Sequence, residues 1–207
     1  MMLVYLFFSL IITIISHEIA HAIVAKLCGV DVITLSLGFF KPCLQIKFLN
    51  IKFKITPFLL GGFTKLKGEK EKVKRGFLNA PYSKKVFILL AGITINFIIT
   101  IVCSLIVFNS VSFGLNAYNI LLRAILFKRY GFIIKSFPFM LGFINYLSVL
   151  LNILPFPALD GGQIITLALE PLLKERFIKF YLLVNKIGFI TLNILQLVAV
   201  VYFLIDI

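Results

Sequence analysis

The sequence is poor in charged residues, and this shortage defines its class. Only 14% of the 207 residues are Asp, Glu, Lys or Arg, whereas 61% are hydrophobic. A soluble domain carries about a quarter charged residues. The composition therefore excludes an ordinary soluble domain. It predicts a polytopic, all-α membrane protein. We expect a single membrane-embedded domain over residues 1–207, without room for a sizeable soluble domain.

Cysteine and histidine are also scarce. The three cysteines (Cys28, Cys43 and Cys103) are odd in number and lack Cys-x-x-Cys spacing, which argues against a disulfide framework and against a thiolate zinc site. The chain has two histidines, His17 and His21. Any histidine-based metal site must therefore take its remaining ligands from other residue types.

Acidic residues are few, and the basic ones are unevenly placed. The chain has 8 Asp and Glu against 21 Lys and Arg, a net charge of +13, and 12 of the basic residues lie between Lys41 and Lys85. Such a concentration marks the cytoplasmic side of a membrane protein and attracts anionic headgroups of the lipid bilayer. No aromatic-basic module accompanies it, so nucleic acid is not an expected partner.

Four hydrophobic stretches are long enough to cross the hydrocarbon core. They lie near 2–26, 86–108, 138–169 and 187–205. The third is too long for one helix and is interrupted by Pro155 and Pro157, so we expect two half-helices with an irregular middle. Non-helical backbone at membrane depth persists only where protein or a water-filled cavity surrounds it.

The same stretches predict a topology. With the basic segment inside, the amino terminus, the 109–137 loop and the carboxyl terminus lie outside, and a loop over 170–186 lies inside. The first stretch has no basic residues before it, so we interpret it as a span and not as a cleaved signal peptide. Residues 113–135 suggest an interfacial amphipathic helix or a short extra span, which would invert everything downstream.

Residues 33–85 differ from the apolar stretches in their pattern of polar and apolar residues. Apolar and polar residues alternate over 44–48 and 51–55 around Leu49-Asn50, which predicts a membrane-associated β-hairpin, followed by Gly61-Gly62-Phe63 and a basic cytoplasmic loop. The hairpin suits two roles. It can anchor to headgroups, or its strand edge can capture an extended peptide by β-addition.

The first span contains the motif His17-Glu18-Ile19-Ala20-His21. Ionisable side chains are costly in lipid and mark functional sites by default. Residues four apart share a helix face, with Cβ atoms roughly 5–6 Å apart, so the two imidazoles can hold one metal ion. Glu18 beside them can take a proton from the attacking water.

A catalytic zinc usually has three protein ligands, so the third ligand must be a carboxylate or an unusual ligand. The candidates are Glu69, Glu71, Asp160 and Glu170. Glu69 and Glu71 lie in the charged loop, where we expect them to be solvated. Asp160 lies at the broken middle of the third span, as a lone intramembrane acid. Its structural alternative is a turn or helix-capping role, because Asp before Gly is common in turns.

Two motifs, one in the first predicted span and one at the break of the third, together identify a specific family resemblance. They are His-Glu-x-x-His at 17–21 and Asn-x-x-Pro-x-x-x-x-Asp-Gly-Gly from Asn152 to Gly162. The chain resembles the site-2 protease family, the zinc intramembrane metalloproteases that cleave membrane-spanning substrates. Residues 83–96 are similar to that family's second-span opening, although Ile93 stands where its Ala-Gly-Pro motif often has proline. The hairpin ending in 61–63 looks like the membrane-associated β-element of bacterial members.

The resemblance implies a set of roles. His17, His21 and Asp160 would bind one Zn²⁺ per chain, Glu18 would be the general base, and Asn152 would hold the substrate backbone near the metal. Further substrate-binding candidates are Pro155, Gly61, Gly62, Phe63 and Asn96. We expect neither the PDZ domain nor the CBS domains of other members, so regulation would come from elsewhere, for example from a membrane partner.

The expected function is zinc-dependent intramembrane cleavage of a single-span membrane protein, in the bacterial cytoplasmic membrane, with the active site toward the cytoplasm. Two alternatives stand beside it. A catalytically silent metal-binding scaffold would not need Glu18, because holding a metal requires no base. A metal transporter would favour more than one ion site along a pore, and the remaining predicted spans contain no second cluster of His or acidic residues.

Overall fold

A computed structural model describes residues 1–39, 44–48, 50–56, 61–119 and 136–205. Most of this part is helical. The helices are α1 (Met2–Leu27), α2 (Tyr82–Phe108), α3 (Phe137–Ile153), α4 (Asp160–Ala168), α5 (Glu170–Leu173) and α6 (Phe177–Ile205). The strands are β1 (Val32–Leu37), β2 (Leu44–Phe48), β3 (Ile51–Ile55) and β4 (Gly62–Leu66). Short 3₁₀ turns cover Phe77–Asn79 and Lys174–Arg176.

Three helical segments of the described chain are long and apolar enough to cross a membrane: Met2–Leu27, Tyr82–Phe108 and Glu170–Leu195. The 17-residue helix Phe137–Ile153 is apolar but shorter. Large apolar side chains of α1, such as Leu3 and Phe7, are exposed, as suits a helix facing lipid. The chain is therefore a membrane protein.

The predicted break in the third stretch is present. α3 ends at Ile153 and α4 begins at Asp160, with Pro155 and Pro157 in between. Proline removes a backbone donor and disfavours helix at the preceding residue, and Leu154 is accordingly extended, with φ −60° and ψ 143°. Asp160 thus stands in the first turn of a new helix at the break.

The loop predicted over 170–186 is wrong. That segment consists of α5, a 3₁₀ turn and the first part of α6, which begins at Phe177, ten residues before the predicted fourth span. Its lysines and arginine suggested a loop. Lys and Arg are good helix formers, however, and their long stems let the charged heads reach water from a helix.

The predicted hairpin is part of a larger sheet. Four strands lie in the order β2-β3-β1-β4, with β1 parallel to β3 and antiparallel to β4. β2 and β3 pair antiparallel, with Ile46 opposite Phe53 and Lys47 opposite Lys52. One face of this pair is therefore apolar and the other is basic. Leu49 at the turn lies outside the described residues.

β1 and β4 were not predicted, so the loop assigned around the hairpin is wrong in part. The inward positions of β1 include Thr34 and Ser36, which are 4% and 3% exposed. Buried polar positions invert the usual alternation of apolar-in and polar-out, so the pattern is hard to detect. β4 begins with glycine, which is depleted in strands.

The helices and the sheet meet around α1. α2 and α3 pack against α1 and against each other, α4 packs mainly on α2, and β1 and β4 pack on α1. α2 begins at Tyr82, four residues before its prediction. Residues 113–119 are helical, and Phe113 and Ala117 are buried in a cluster with Phe139. Residues 120–135, and with them most of the predicted interfacial helix, lie outside the described residues, as does Cys43.

Candidate metal centre

Three side chains from distant parts of the sequence converge beside the break. The Nε2 atoms of His17 and His21 are 3.0 Å apart. Asp160 Oδ2 lies 3.2 Å from His17 Nε2 and 3.4 Å from His21 Nε2. His21 and Asp160 are buried, and one ligand atom from each of the three residues lies within 4.8 Å of the others.

The residues fit a zinc ion. Asp160 Oδ2 is buried at ionic-contact distance from both rings, yet it has no hydrogen bond of good geometry among the described residues. Buried polar atoms are normally satisfied, and a cation between the three side chains would satisfy this one. Two imidazole nitrogens and one carboxylate oxygen are also the donor types that hold a catalytic zinc and leave a position open.

His21 is oriented by a backbone carbonyl. Its Nδ1 lies 2.7 Å from the carbonyl oxygen of Ile88 on α2. A carbonyl only accepts hydrogen bonds, so Nδ1 carries the proton and donates it. Nε2 is then free to bind a metal, in the arrangement that metal-ligating histidines usually show.

His17 is held from behind by Asn96. The Asn96 amide lies 3.2 Å from His17 Nδ1 and 2.8 Å from Ser148 Oγ. Metal binding through His17 Nε2 requires a proton on Nδ1, and the amide must then present its oxygen to the ring. Asn96 Oδ1 has no other partner within the described chain, and a half-turn of the amide supplies that contact.

Gly92 allows α2 to approach the two imidazoles. A Cβ atom added at this position would meet His21 Nε2 and would lie 2.5 Å from His17 Cε1, far inside van der Waals contact. Glycine is otherwise unfavourable inside a helix. Close packing of α2 against the histidine pair therefore explains the residue at this position.

Glu18 is fixed by β4. Thr64 Oγ1 lies 2.7 Å from Glu18 Oε2 and 2.9 Å from the Glu18 carbonyl oxygen, and its single hydroxyl proton is shared between these two acceptors. Gly62 packs directly over α1, because a Cβ there would come within 3.0 Å of Glu18 Cγ and 2.7 Å of Ile14 Cγ2. The first strand residues after the predicted hairpin thus position the acid of the motif.

Two cavities meet at this centre. One, of about 460 Å³, is called the polar cavity because more than half of its lining residues are polar or charged, among them the three clustered residues, Glu69, Gln163 and Tyr181. A second, of about 600 Å³, is mostly apolar and is lined by residues such as Leu10, Ile144 and Leu147. His17, Glu18, Gly62 and Phe63 line both. Glu18 therefore stands where an apolar space opens into a polar one.

Some of the predicted substrate-binding residues line a cavity at the metal centre, and others do not. Gly61, Gly62, Phe63 and Asn152 line the apolar cavity. Pro155 is exposed and lines neither cavity. Asn96 is fully buried behind His17, where it contacts an imidazole and not a cavity.

The other carboxylates considered as ligands lie elsewhere. Glu71 is exposed, and Glu170 forms ion pairs with Lys72 and Lys85. Glu69 was expected to be solvated, but its carboxylate turns inward and accepts a hydrogen bond from the Leu66 N–H. Burial raises the pKa of Glu69. Among the four candidates, the structure brings Asp160 to the histidines.

Several residues of the site were missed by sequence reasoning. Tyr181 donates a hydrogen bond from its hydroxyl to Gln163 Oε1, with 2.9 Å between the oxygens. Gln163 lies three residues after Asp160 on α4, so the two side chains share a helix face. That spacing was a usable signal for Gln163, whereas nothing local identifies Thr64 or Tyr181.

Comparison with known proteins gives a family match. Residues 5–195 match the model of Peptidase family M50. Bacterial proteins whose names begin "Putative zinc metalloprotease" are 35% identical over 41% of this chain (Helicobacter pylori strain J99), 34% over 48% (Campylobacter jejuni) and 32% over 47% (Borreliella burgdorferi). The matched part makes up 27%, 28% and 26% of those relatives, so the chain spans about a quarter of their length.

Proposed function

Because the chain belongs to peptidase family M50, we propose that it is a zinc-dependent endopeptidase that cleaves a transmembrane segment of a membrane-tethered substrate. The observation that carries the proposal is the convergence of His17, His21 and Asp160 beside Glu18. Both histidines lie on a membrane-grade helix, and the acid lies at the break of another apolar stretch. The match over 5–195 includes all four residues.

His17, His21 and Asp160 would hold the zinc. A zinc in such a site supplies Lewis acidity, which lowers the pKa of a coordinated water and polarises the scissile carbonyl. Glu18 takes the proton from the attacking water and passes it to the leaving amine. Thr64 keeps the Glu18 carboxylate directed toward the junction of the two cavities. Ile88 and Asn96 keep the imidazole nitrogens directed at one point.

The apolar cavity suits a substrate that comes from the bilayer. A transmembrane helix buries its own carbonyls, so it must unwind before a peptide bond can reach the centre. β4 pairs with β1 on one side, and no other described strand pairs with its second edge, while its residues line the polar cavity. An unwound segment can add to that edge as a further strand. Asn152 and the Gly61-Gly62-Phe63 stretch would contact it on the apolar side.

The proposed location is the bacterial cytoplasmic membrane, as a multi-pass protein with its active site toward the cytoplasm. The basic face of the β2–β3 pair, with Lys47, Lys52 and Lys54, suits anionic headgroups. The apolar face, with exposed Leu44, Ile46 and Phe48, suits the bilayer interface. A regulatory membrane partner fits the same proposal.

Cleavage by the purified full chain in lipid vesicles tests this function. A panel of single-span proteins would be co-reconstituted, with products identified by mass spectrometry and zinc measured by elemental analysis. We expect cleavage by the wild type and a loss of roughly 10²–10⁴-fold in Glu18→Gln, the range for a general base, with one zinc per chain in both. Cleavage that persists in Glu18→Gln, or after chelation, contradicts the mechanism. Tightly held zinc without any cleavage would favour the silent scaffold, and several weak sites would favour transport.

A further inference from the structure

An ion pair between a buried lysine and a partly exposed glutamate lies outside both cavities. Lys85, near the start of α2, is 2% exposed. Its Nζ is 2.6 Å from Glu170 Oε2, and the other carboxylate oxygen, Oε1, is 2.6 Å from Lys72 Nζ. Neither Lys85 nor Glu170 lines the cavities at the metal centre. The proposed reaction therefore gives these two residues no role.

Lys85 belongs to the face of α2 that supports the metal centre. Residues 85, 88, 92 and 96 are spaced by three and four positions, so they form one stripe on the helix. Along this stripe, the Ile88 carbonyl orients His21, Gly92 packs on both imidazoles, and Asn96 contacts His17. Lys85 is the member of the stripe that contacts neither histidine.

The short helix α4 connects Asp160 to Glu170 along the chain. Asp160 is the first residue of α4, Leu169 caps the carboxyl end of that helix, and α5 begins at Glu170. α4 has nine residues and is therefore about 14 Å long. The ion pair thus connects the start of α5, directly after the helix that carries Asp160, to α2, the helix whose residues orient His17 and His21.

The free energy needed to desolvate Lys85 suggests that this ion pair does more than stabilise the fold. Removing an ammonium group such as that of Lys85 from water costs several kcal/mol, and the contact with a partly exposed carboxylate offsets this cost only in part. Such pairs are best attested where they select one arrangement of packed elements. We propose that Lys85 and Glu170 are positioning residues, which hold α4 on α2 so that Asp160 stays within reach of His17 and His21.

This inference rests on the proposed metal site, and zinc affinity tests it without any substrate. Purified full-length variants in nanodiscs would compete for zinc against a chromophoric chelator. We expect Lys85→Met and Glu170→Gln to weaken zinc binding by about tenfold, the lower end of the 10–100-fold that direct hydrogen-bonding partners of metal ligands contribute, because these two residues act on Asp160 through α4. The matched control is Lys72→Met, which removes the exposed contact to the same carboxylate. It should change affinity by less than about threefold, because exposed ion pairs contribute little.

Two further measurements separate positioning from general stability. Lys85→Arg keeps the charge and should retain more affinity than Lys85→Met. The apparent Tm of each metal-free variant shows whether stability and affinity change independently. Zinc affinity within threefold of wild type in folded Lys85→Met and Glu170→Gln overturns the inference, and so does failure of both to fold, which would indicate a role in overall stability. A wild type that binds no zinc would overturn the proposed function as well.

Discussion

Thr64 of β4 donates a hydrogen bond to Glu18 of α1, with 2.7 Å between Oγ1 and Oε2. The same hydroxyl lies 2.9 Å from the Glu18 carbonyl oxygen, so one strand residue fixes both the backbone and the side chain of the proposed base. The strand that positions the acid is also the one whose open edge lines the polar cavity. Substrate capture and orientation of the base would therefore depend on the same five residues.

Replacement of Thr64 by valine should slow cleavage without removing zinc. Valine keeps the shape but not the hydroxyl, and a hydrogen bond to a charged group contributes about 1.5–3 kcal/mol, so we expect a fall in kcat of about tenfold or more. Thr64→Ser retains the hydroxyl and is the control, with activity close to wild type. The measurements are kcat on a cleaved substrate and zinc content. Equal kcat in Thr64→Val and Thr64→Ser would show that this bond does not position Glu18.

Gly92→Ala should abolish zinc binding. The added methyl group would collide with both imidazoles, since its carbon would lie 2.5 Å from His17 Cε1. The helix itself should not suffer, because alanine is about 1 kcal/mol better than glycine inside a helix. Elemental analysis of the purified protein measures the result. Thr94→Ala, on the exposed side of the same helix, is the control and should keep its zinc. Full zinc occupancy in Gly92→Ala would mean that α2 does not pack on the histidines as described.

Substitutions of Asn96 test which ring nitrogen of His17 carries the proton. If His17 binds the metal through Nε2, its Nδ1–H must donate, and residue 96 must accept. Asn96→Asp keeps an acceptor and Asn96→Leu does not, so Asn96→Leu should weaken zinc affinity by roughly 10–100-fold and Asn96→Asp by less. Chelator competition measures both. Equal losses in the two variants would indicate that Asn96 acts by packing alone.

The features that sequence alone could predict are those encoded locally. The apolar runs marked α1 and α2, the prolines marked the break before Asp160, and the spacing of His17 and His21 placed two imidazoles on one helix face. The residues that orient His17 and Glu18 could not be predicted in that role, and Asn96 was predicted only as a substrate-binding residue. Asn96 and Thr64 act across 79 and 46 positions of the chain, and such distances are set by tertiary packing. β1 was missed for a related reason, because its buried Thr34 and Ser36 contradict the expected pattern.

The buried carboxyl of Glu69 should make the free energy of unfolding depend on pH. Burial raises the pKa of its carboxyl, so the folded state favours the protonated form. Above the pKa of the unfolded chain, this group therefore lowers the free energy of unfolding, and the penalty grows as the pH rises toward the folded pKa. At low pH, where both states are protonated, the penalty disappears.

Glu69→Gln should accordingly stabilise the protein at neutral pH and have little effect at low pH. Glutamine can still accept the Leu66 N–H, but it carries no charge to desolvate. The apparent Tm in detergent should rise by a few degrees at pH 7, since about 1 kcal/mol corresponds to roughly 2–4 °C in a chain of this size. Glu71→Gln, at an exposed position, is the matched control and should leave Tm nearly unchanged. A gain that is the same at pH 4 and pH 7 would point to packing and not to the buried charge. A lower Tm at pH 7 would mean that Lys65 and Lys70, whose charges act on Glu69, stabilise the carboxylate more strongly than burial disfavours it.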